Sequence, residues 1–427
     1  MAKENFLSNL GFISEAKLRI GYGLTGNNRI DDFSYLSQIL LGPLPAYSYN
    51  NGAASTGAQL SSLGNPDLKW ETTAQTNIGY DLSLFNNRIN FTVDAYRKTT
   101  RDLLLLANLP YTLGIGSAYK NVGKVKNEGL ELSLNTVNIN TKDFTWKTGF
   151  NISFNRNKVL ELAENQKEIL SPVFFDFSYN SLFAYTAQVG RPIAQMRGYE
   201  WDGVYQYSDF DQPTAGTYVL KSTVPTNGTA RANIKPGDIK YKDLNGDLVV
   251  NADDITTIGR GIPIHTGGFV NDFRYKGFDL NVFFQWSYGN DLVNANRLVF
   301  EGNGKNTLTL NKFATWSDRW QPDNPSSTLF RTGGQGPFAY SSRIIEDGSY
   351  LRLKTVTLGY NLSEQLTKRL KIKSLRVFAS AQNLITWTNY SGPDPEVSIR
   401  NSALTPGFDY SAYPRPRTLT FGLNLIF

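Results

Sequence analysis

Six closely spaced positions in the middle of the chain could bind a metal ion. The segment Asp243–Asp254, DLNGDLVVNADD, places oxygen donors at alternate positions, as calcium-binding loops do. The candidate ligands at loop positions 1, 3, 5, 7, 9 and 12 are Asp243, Asn245, Asp247, the Val249 carbonyl, Asn251 and Asp254. Leu248 stands at position 6, where the sharp turn favours glycine, and position 12 carries Asp instead of a bidentate Glu. The segment predicts either a Ca²⁺ site or an Asx-rich surface turn.

Few other residues could carry catalytic or redox chemistry. The 427 residues include no cysteine and one histidine, His265, which excludes thiolate metal sites and cysteine nucleophiles and argues against a histidine-based triad. Asp and Glu are dispersed, so no pair can be assigned to glycoside hydrolysis. We therefore expect a protein that is not an enzyme, with no catalytic residues and no bound cofactor other than Ca²⁺. The net charge of +6 is scattered and does not indicate a nucleic-acid partner.

Eight aromatic residues lie outside the predicted strands or at their ends. They are Tyr185, Tyr199, Trp201, Tyr205, Trp316, Trp320, Trp387 and Tyr390. Such rings could stack on sugars, but packing within long loops or an interfacial aromatic girdle is the favoured interpretation.

Long runs of alternating apolar and polar residues dominate the chain and predict an all-β fold. In Phe144–Asn155, FTWKTGFNISFN, Phe144, Trp146, Phe150 and Ile152 share one face. Ten strands are predicted near residues 17–26, 69–85, 88–105, 122–140, 143–157, 263–276, 277–290, 348–362, 373–385 and 416–427. Many exceed ten residues, whereas strands of soluble domains have about 5–6, and about 9–11 tilted residues cross a bilayer.

Long and short connections alternate between these strands. In an antiparallel meander, tight turns such as Asn86-Asn87 would lie at one end and all long loops at the other. Three of the long loops, 158–262, 291–347 and 386–415, have 105, 57 and 30 residues. This asymmetry is typical of outer-membrane barrels, which have short periplasmic turns and long extracellular loops. We expect an antiparallel transmembrane β-barrel fragment whose C-terminus lies in the periplasm.

Smaller features complete the prediction. The loop 158–262 is too long to be structureless, so we expect a folded extracellular insertion there. Short helices are predicted at Ser363–Leu370 and Asp291–Phe300. The first residues, MAKENFLSNLGF, lack the basic and apolar regions of a signal peptide.

The polar side chains of the strands would line the interior of such a barrel. Examples are Arg19, Asp94, Glu131, Lys147 and Asp279. The alternative is a secreted β-sandwich that acts as a glycan-binding or adhesin module. The two interpretations differ in one observable, because a sandwich buries its apolar strand faces against a second sheet, whereas a barrel exposes them to lipid.

Seven separated segments resemble the SusC-like (SusC/RagA) family of TonB-dependent outer-membrane transporters. They are KLRIGYGLTGN (17–27), NPDLKWETTAQTNIGYDLSLFNNRINFTVDAYRKTTRDL (65–103), NVGKVKNEGLEL (121–132), PGDIKYKDLNGDLVVNADDITTIG (236–259), KGFDLNVFFQWSYGND (276–291), RIIEDGSYLRLKTVTLGY (343–360) and YPRPRTLTFGLNLIF (413–427). The segments run in family order, and the last is an amphipathic strand that ends in an aromatic residue.

The resemblance implies an outer-membrane importer of large nutrients, oligosaccharides or glycans and in some members peptides, from Bacteroidetes-type bacteria. The family barrel has 22 strands around an N-terminal plug. A SusD-like surface lipoprotein covers the barrel, and TonB acts on the plug.

The chain departs from the family in extent. It resembles only the C-terminal ten strands and their loops across residues 1–427, and the plug domain and TonB box are absent from it. We expect a ten-strand open arc that cannot close, so that the fragment alone is inactive. The sequence identifies neither the substrate nor the residues that contact it.

Overall fold

Ten long strands form one antiparallel sheet in the computed structural model, which describes residues 11–28, 32–48, 50–108, 112, 117–163, 166–176, 179, 182–302, 310–338, 340–400 and 402–427. The strands are β1 (Ile13–Asn27), β2 (Glu71–Leu84), β3 (Ile89–Arg101), β4 (Lys124–Asn140), β5 (Phe144–Glu161), β6 (His265–Tyr275), β7 (Phe278–Tyr288), β8 (Tyr350–Asn361), β9 (Ser374–Thr388) and β10 (Thr418–Ile426). Each pairs with the next in this order, so the predicted ten-strand meander is confirmed. The expectation about a signal peptide concerns MAKENFLSNLGF (1–12), of which residues 1–10 lie outside the described residues.

The pairing register separates an apolar face from a polar face. One row across neighbouring strands reads Leu18, Tyr80, Val93, Leu132 and Ile152. The adjacent row on the other face reads Arg19, Gly79, Asp94, Glu131 and Ser153. Because side chains alternate along each strand, this register keeps every apolar run of the sequence on one side of the sheet.

Within the described part of the chain, no second sheet covers the apolar face. Eight residues from the apolar strand faces, which a barrel would expose to lipid, are not buried: Phe144, Trp146, Phe150, Ile152, Phe284, Trp286, Leu423 and Leu425. Leu423 is 65% exposed and Leu425 39%, and the other six are half-buried between neighbouring side chains. The accessible band is therefore confirmed, and the β-sandwich interpretation is wrong.

Aromatic rings mark both ends of this band. Phe144 contacts Tyr275 near the tight turns, with ring centroids 6.5 Å apart. Near the long loops, the His265 ring lies 5.4 Å from Phe154 and 5.0 Å from Tyr288. The stretch of β5 from Phe144 to Phe154 has eleven residues, which matches the length that a tilted strand needs to cross a bilayer.

Two of the tight connections contain left-handed backbone, and asparagine occupies two of these positions. Asn86 and Asn87, between β2 and β3, have φ of 56° and 63°, and Lys276, between β6 and β7, has φ of 50°. Asparagine adopts this region at little cost, so the sequence turns there without disturbing the register of the two strands.

The long loops contain most of the buried core. Within them lie short strands at Gln38–Ser48, Ala54–Ser62, Leu104–Asn108, Ser117–Asn121, Glu168–Pro172, Phe183–Gln188, Gln195–Gly198, Trp201–Val204, Phe210–Thr214, Thr217–Leu220, Ile239–Tyr241, Thr256–Arg260, Asp291–Asn294, Ile345–Asp347 and Phe408–Asp409. Tyr185, Met196, Leu298, Ile344 and Phe408 belong to one buried cluster, so three long loops share a core. The loops above the sheet thus form a packed cap.

Helix is scarce. Among the described residues the α-helices are α1 (Ala295–Phe300) and α2 (Glu364–Arg369), and short 3₁₀ turns lie at Tyr207–Asp209, Arg231–Asn233, Ala252–Asp254, Ala314–Asp318 and Ser342–Ile344. In the described part of the chain no helix is long and apolar enough to span a membrane. The helix predicted over Asp291–Phe300 is confirmed for residues 295–300 and wrong for residues 291–294. These four residues form a strand that pairs with 345–347 and 408–409.

Candidate functional site

The polar face of the sheet carries the inward residues predicted from the sequence. Arg19 of β1 reaches two neighbouring strands, with Nε 2.8 Å from Asp81 Oδ2 and Nη2 3.0 Å from Asp94 Oδ2. Asp279 of β7 pairs with Arg376 of β9 at 2.6 Å. Glu131 and Lys147 are exposed on the same face. Cross-strand ion pairs therefore stabilise the ten-strand sheet, or wall, and its polar face stays hydrophilic.

A cavity of about 600 Å³ lies between this face and the loops. The sheet contributes Asn151, Thr266, Gln285 and Ser287, and the loop 389–417 contributes Glu396. Phe283 and Tyr350 add aromatic surface. Amide and hydroxyl groups beside aromatic rings can hydrogen-bond and stack on a polar, uncharged chain such as an oligosaccharide or a peptide backbone.

Arg352 fastens the loop 389–417 onto the sheet. This arginine of β8 is only 2% exposed, and its Nη2 lies 2.6 Å from Asp394 Oδ1. Its Nη1 pairs with Glu396, and its Nε donates to Thr386 Oγ1 at 2.9 Å. Arg415 reaches Glu396 from the other side at 3.3 Å. The loop is thus held over the cavity by a buried, hydrogen-bonded ion cluster.

The electrostatics of Asp394 reflect this arrangement. Burial by itself would raise the pKa of its carboxyl group. Hydrogen bonds from the backbone N–H of Glu396 and from Arg352 outweigh burial, so the pKa of Asp394 lies below its ordinary value of 3.8. The carboxylate therefore stays ionised and paired at neutral pH.

A second buried ion cluster ties the loops to one another. Arg343 pairs with Glu301, and Arg297 lies 3.1 Å from Glu301 and 3.4 Å from Glu346. Burial lowers the pKa of the Arg343 guanidinium, and the Glu301 charge partly offsets that effect. The sequence carried no signal for the pairs that join distant segments, because Arg343 and Glu301, Arg352 and Asp394, and Arg297 and Glu346 are 42 to 49 residues apart in the chain.

Most of the loop aromatics have a packing role. Tyr185, Tyr199, Tyr205, Trp320 and Tyr390 are all buried. Burial raises the pKa of Tyr199 to about 12. Trp387 is 48% exposed on the apolar face, where its ring lies 6.4 Å from Phe284. The structural interpretation of these residues is confirmed for the buried set and for Trp387.

The candidate calcium loop forms a network of Asx hydrogen bonds. Asp243 accepts from the N–H groups of Gly246 and Leu248 at 2.7 Å, and Asp247 accepts from Val249 at 2.8 Å. Leu248 adopts φ of 64°, so the sharp turn at position 6 forms without glycine.

The exit of this loop is capped by its own side chains. Asn251 accepts from the N–H of Asp253 at 2.8 Å, and the buried Asp254 accepts from the N–H groups of Leu244 and Asn251. Among the described residues no group of three or more His, Cys, Asp or Glu side chains is arranged to hold a metal. The fold satisfies these oxygens with backbone donors, and Ca²⁺ binding at Asp243, Asn245, Asp247, Val249, Asn251 and Asp254 stays a prediction.

Comparisons with known proteins agree with the architecture. A family model described as "TonB dependent receptor-like, beta-barrel" matches residues 4–384. The chain is 36% identical to TonB-dependent receptor P3 of Formosa agariphila over its whole length, which is 41% of that relative. It is 29% identical to TonB-dependent receptor SusC of Bacteroides thetaiotaomicron, again over its whole length and 39% of that relative.

Solved structures give the same result. A chain in the structure of the RagAB peptide transporter has 28% sequence identity to this protein and superposes with a TM-score of 0.77. The match covers 99% of this chain and 42% of that chain. The RagAB peptide importer in its closed-closed state is 27% identical, also with a TM-score of 0.77. The chain therefore spans about two-fifths of the length of the proteins that it matches.

Proposed function

This chain belongs to the TonB-dependent receptor-like β-barrel family, and from that premise we propose that it forms part of the barrel of a SusC/RagA-type importer for large nutrients. The family consists of outer-membrane transporters and receptors and not of enzymes. The chain is accordingly an outer-membrane protein, and its long loops lie on the extracellular side.

The observation that carries the proposal is the cavity between the polar sheet face and the fastened loop 389–417. Its amide, hydroxyl and aromatic groups, beside the ion-paired Glu396, suit a polar oligomer, an oligosaccharide or a peptide, that passes along the wall. The three long loops add more chain than the closure of adjacent strands requires, and the ordering of that chain is explained if the loops contact a ligand or a partner.

Two partners follow from the relatives. We propose that a SusD-like surface lipoprotein covers the loops, as the resemblance to the SusC-like family implies, and the similar RagAB peptide importer is described in 'open-open' and 'closed-closed' states. We also propose that transport depends on TonB, as the names of the relatives indicate, and that TonB acts through a plug, as the family resemblance implies. The ten-strand wall alone should not transport, because β1 and β10 each have a single neighbour in the described sheet.

Growth of a deletion strain tests this proposal. Removal of the gene should abolish growth on one oligomeric nutrient, an oligosaccharide or a peptide mixture, while growth on the monomers is unchanged. Complementation with the whole gene should restore growth, and complementation with residues 1–427 should not. Unchanged growth on every oligomer tested would contradict the transport function, and rescue by residues 1–427 would contradict the inactivity of the wall alone.

A further inference from the structure

A groove of about 650 Å³ runs along the outer, apolar face of the sheet at its long-loop end. Its floor is the outward row Ile78, Ala95, Leu130 and Phe154, which β2 to β5 bring side by side in register. Ala95 is the smallest residue in this row, and its methyl group leaves a depression between Ile78 and Leu130. Ile78 is 50% exposed and Leu130 39%, so the floor is accessible apolar surface.

The next three outward rows towards the loops are basic. They contain Arg97 and Arg101 of β3, Lys124 and Lys126 of β4, and Arg156 and Lys158 of β5. The acidic residues among them are Glu128 and, at the end of β5, Glu161. Glu128 is shared by Arg97 at 2.6 Å and Lys126 at 3.1 Å, while the Arg97 side chain is still 68% exposed. The patch therefore keeps an excess of four positive charges.

The position of this patch relative to the bilayer follows from the apolar band. Charged residues on the lipid face are costly near the midplane and become tolerable at the interface. On β5 the apolar run ends at Phe154 and Arg156 is the next outward residue, beside the aromatic contacts of His265. The basic patch thus lies at the extracellular interface, directly above an apolar groove that faces lipid.

We propose that this site binds a phosphorylated lipid of the outer leaflet. The phosphate group would be held by Arg97, Lys126 and Arg156, and an acyl chain would lie in the groove over Ala95. Charge complementarity selects an anionic headgroup, and arginine is well suited to phosphate because its guanidinium donates two parallel hydrogen bonds. The apolar floor selects a lipid over a soluble phosphate, because only a lipid also covers that surface.

Native mass spectrometry of the full-length protein in detergent tests the proposal. The probes are monophosphoryl lipid A, the same lipid after removal of its phosphate, and inorganic phosphate. The wild-type protein should retain the phosphorylated lipid and lose it in the triple variant Arg97→Gln, Lys126→Gln, Arg156→Gln, with an affinity lower by about tenfold or more. Ala95→Trp, which fills the groove, should also reduce retention.

A matched variant removes three positive charges from the polar face instead. Lys98→Gln, Lys147→Gln, Arg274→Gln should retain the lipid as wild type does, and heat-modifiable migration in gels confirms that each variant is folded. Equal losses in both triple variants, equal retention of the dephosphorylated lipid, or complete displacement by inorganic phosphate would each overturn the proposal.

Discussion

The placement of the loop 389–417 depends chiefly on Arg352, whose guanidinium group is buried. Arg352→Gln would leave Asp394 and Glu396 buried with one cation fewer, and breaking a buried pair costs about 3–5 kcal/mol. We expect the lower end of that range, because Arg415 and Lys354 also reach Glu396. Faster proteolysis within 389–417 and a lower unfolding temperature of the full-length protein would show the loss.

An exposed ion pair provides the control for this variant. Lys368 and Glu364 lie 2.9 Å apart on α2, and both side chains are largely exposed. Lys368→Gln should change stability by no more than about 0.5 kcal/mol. Equal effects of the two substitutions would contradict the fastening role of Arg352.

The same cluster predicts a pH dependence. The pKa of Asp394 in the folded protein lies below its ordinary value of 3.8, so the carboxylate stabilises the fastened loop above that value. As the pH falls through the ordinary value towards the pKa of the folded state, protonation removes this stabilisation. Proteolysis of the loop by an acid-active protease should accelerate in that range. In the variant Asp394→Asn this acceleration should be absent, because the loop is already less firmly held at pH 7.

Calcium binding is a separate prediction for the segment 243–254. Extracellular Ca²⁺-binding modules have dissociation constants of about 10⁻⁴–10⁻³ M, so, if the segment binds Ca²⁺ as predicted, millimolar Ca²⁺ should raise the unfolding temperature of the full-length protein. Asp243→Asn should abolish the shift, since it removes a charged ligand while keeping the acceptor for Gly246. Absence of a shift with Ca²⁺, or an equal shift with Mg²⁺, would leave only the Asx-turn network.

At the scale of strands, the alternation of apolar and polar residues is sufficient to predict the sheet. The same two-residue period indicates an extended backbone and determines which side chains face lipid. Residues 144–154 show this directly. The loops could not be predicted in the same way. Strand 291–294 has an apolar pattern that also fits a helix, and it is a strand because 345–347 and 408–409 pair with it across more than 50 residues of chain. Such non-local pairing leaves no periodic signal in the sequence.

Two adjacent positions of β4 test the assignment of the faces. Leu134 lies opposite Phe91 and Phe150 on the apolar face, and Ser133 lies opposite Thr92 and Asn151 on the polar face. Leu134→Arg should cost about 2–4 kcal/mol near the bilayer midplane, whereas Ser133→Arg should be tolerated. The fraction of full-length protein that shows heat-modifiable migration measures both, and equal losses would contradict the register.

At the scale of the whole molecule, the two free edges determine the behaviour of the isolated chain. In the described sheet β1 and β10 each have one neighbouring strand, so their outer backbone N–H and C=O groups have no strand partner there, and such edges template association with other chains. Residues 1–427 expressed alone should form large assemblies in detergent and no heat-modifiable monomer, whereas the full-length protein should give one. Size-exclusion chromatography distinguishes the two, and a stable monomer of the short chain would contradict an open sheet.

The pairing of β5 with β6 has a consequence for how such proteins diversify. His265 lies opposite Phe154, so the chain that leaves the wall after β5 returns beside its point of departure, and the N–H of Val159 donates to the carbonyl of Arg191 at that junction. An insertion that begins and ends at neighbouring positions can be exchanged by recombination without altering the strands. The wall and the cap can therefore evolve at different rates, and new specificities can be acquired by replacement of one loop at a time.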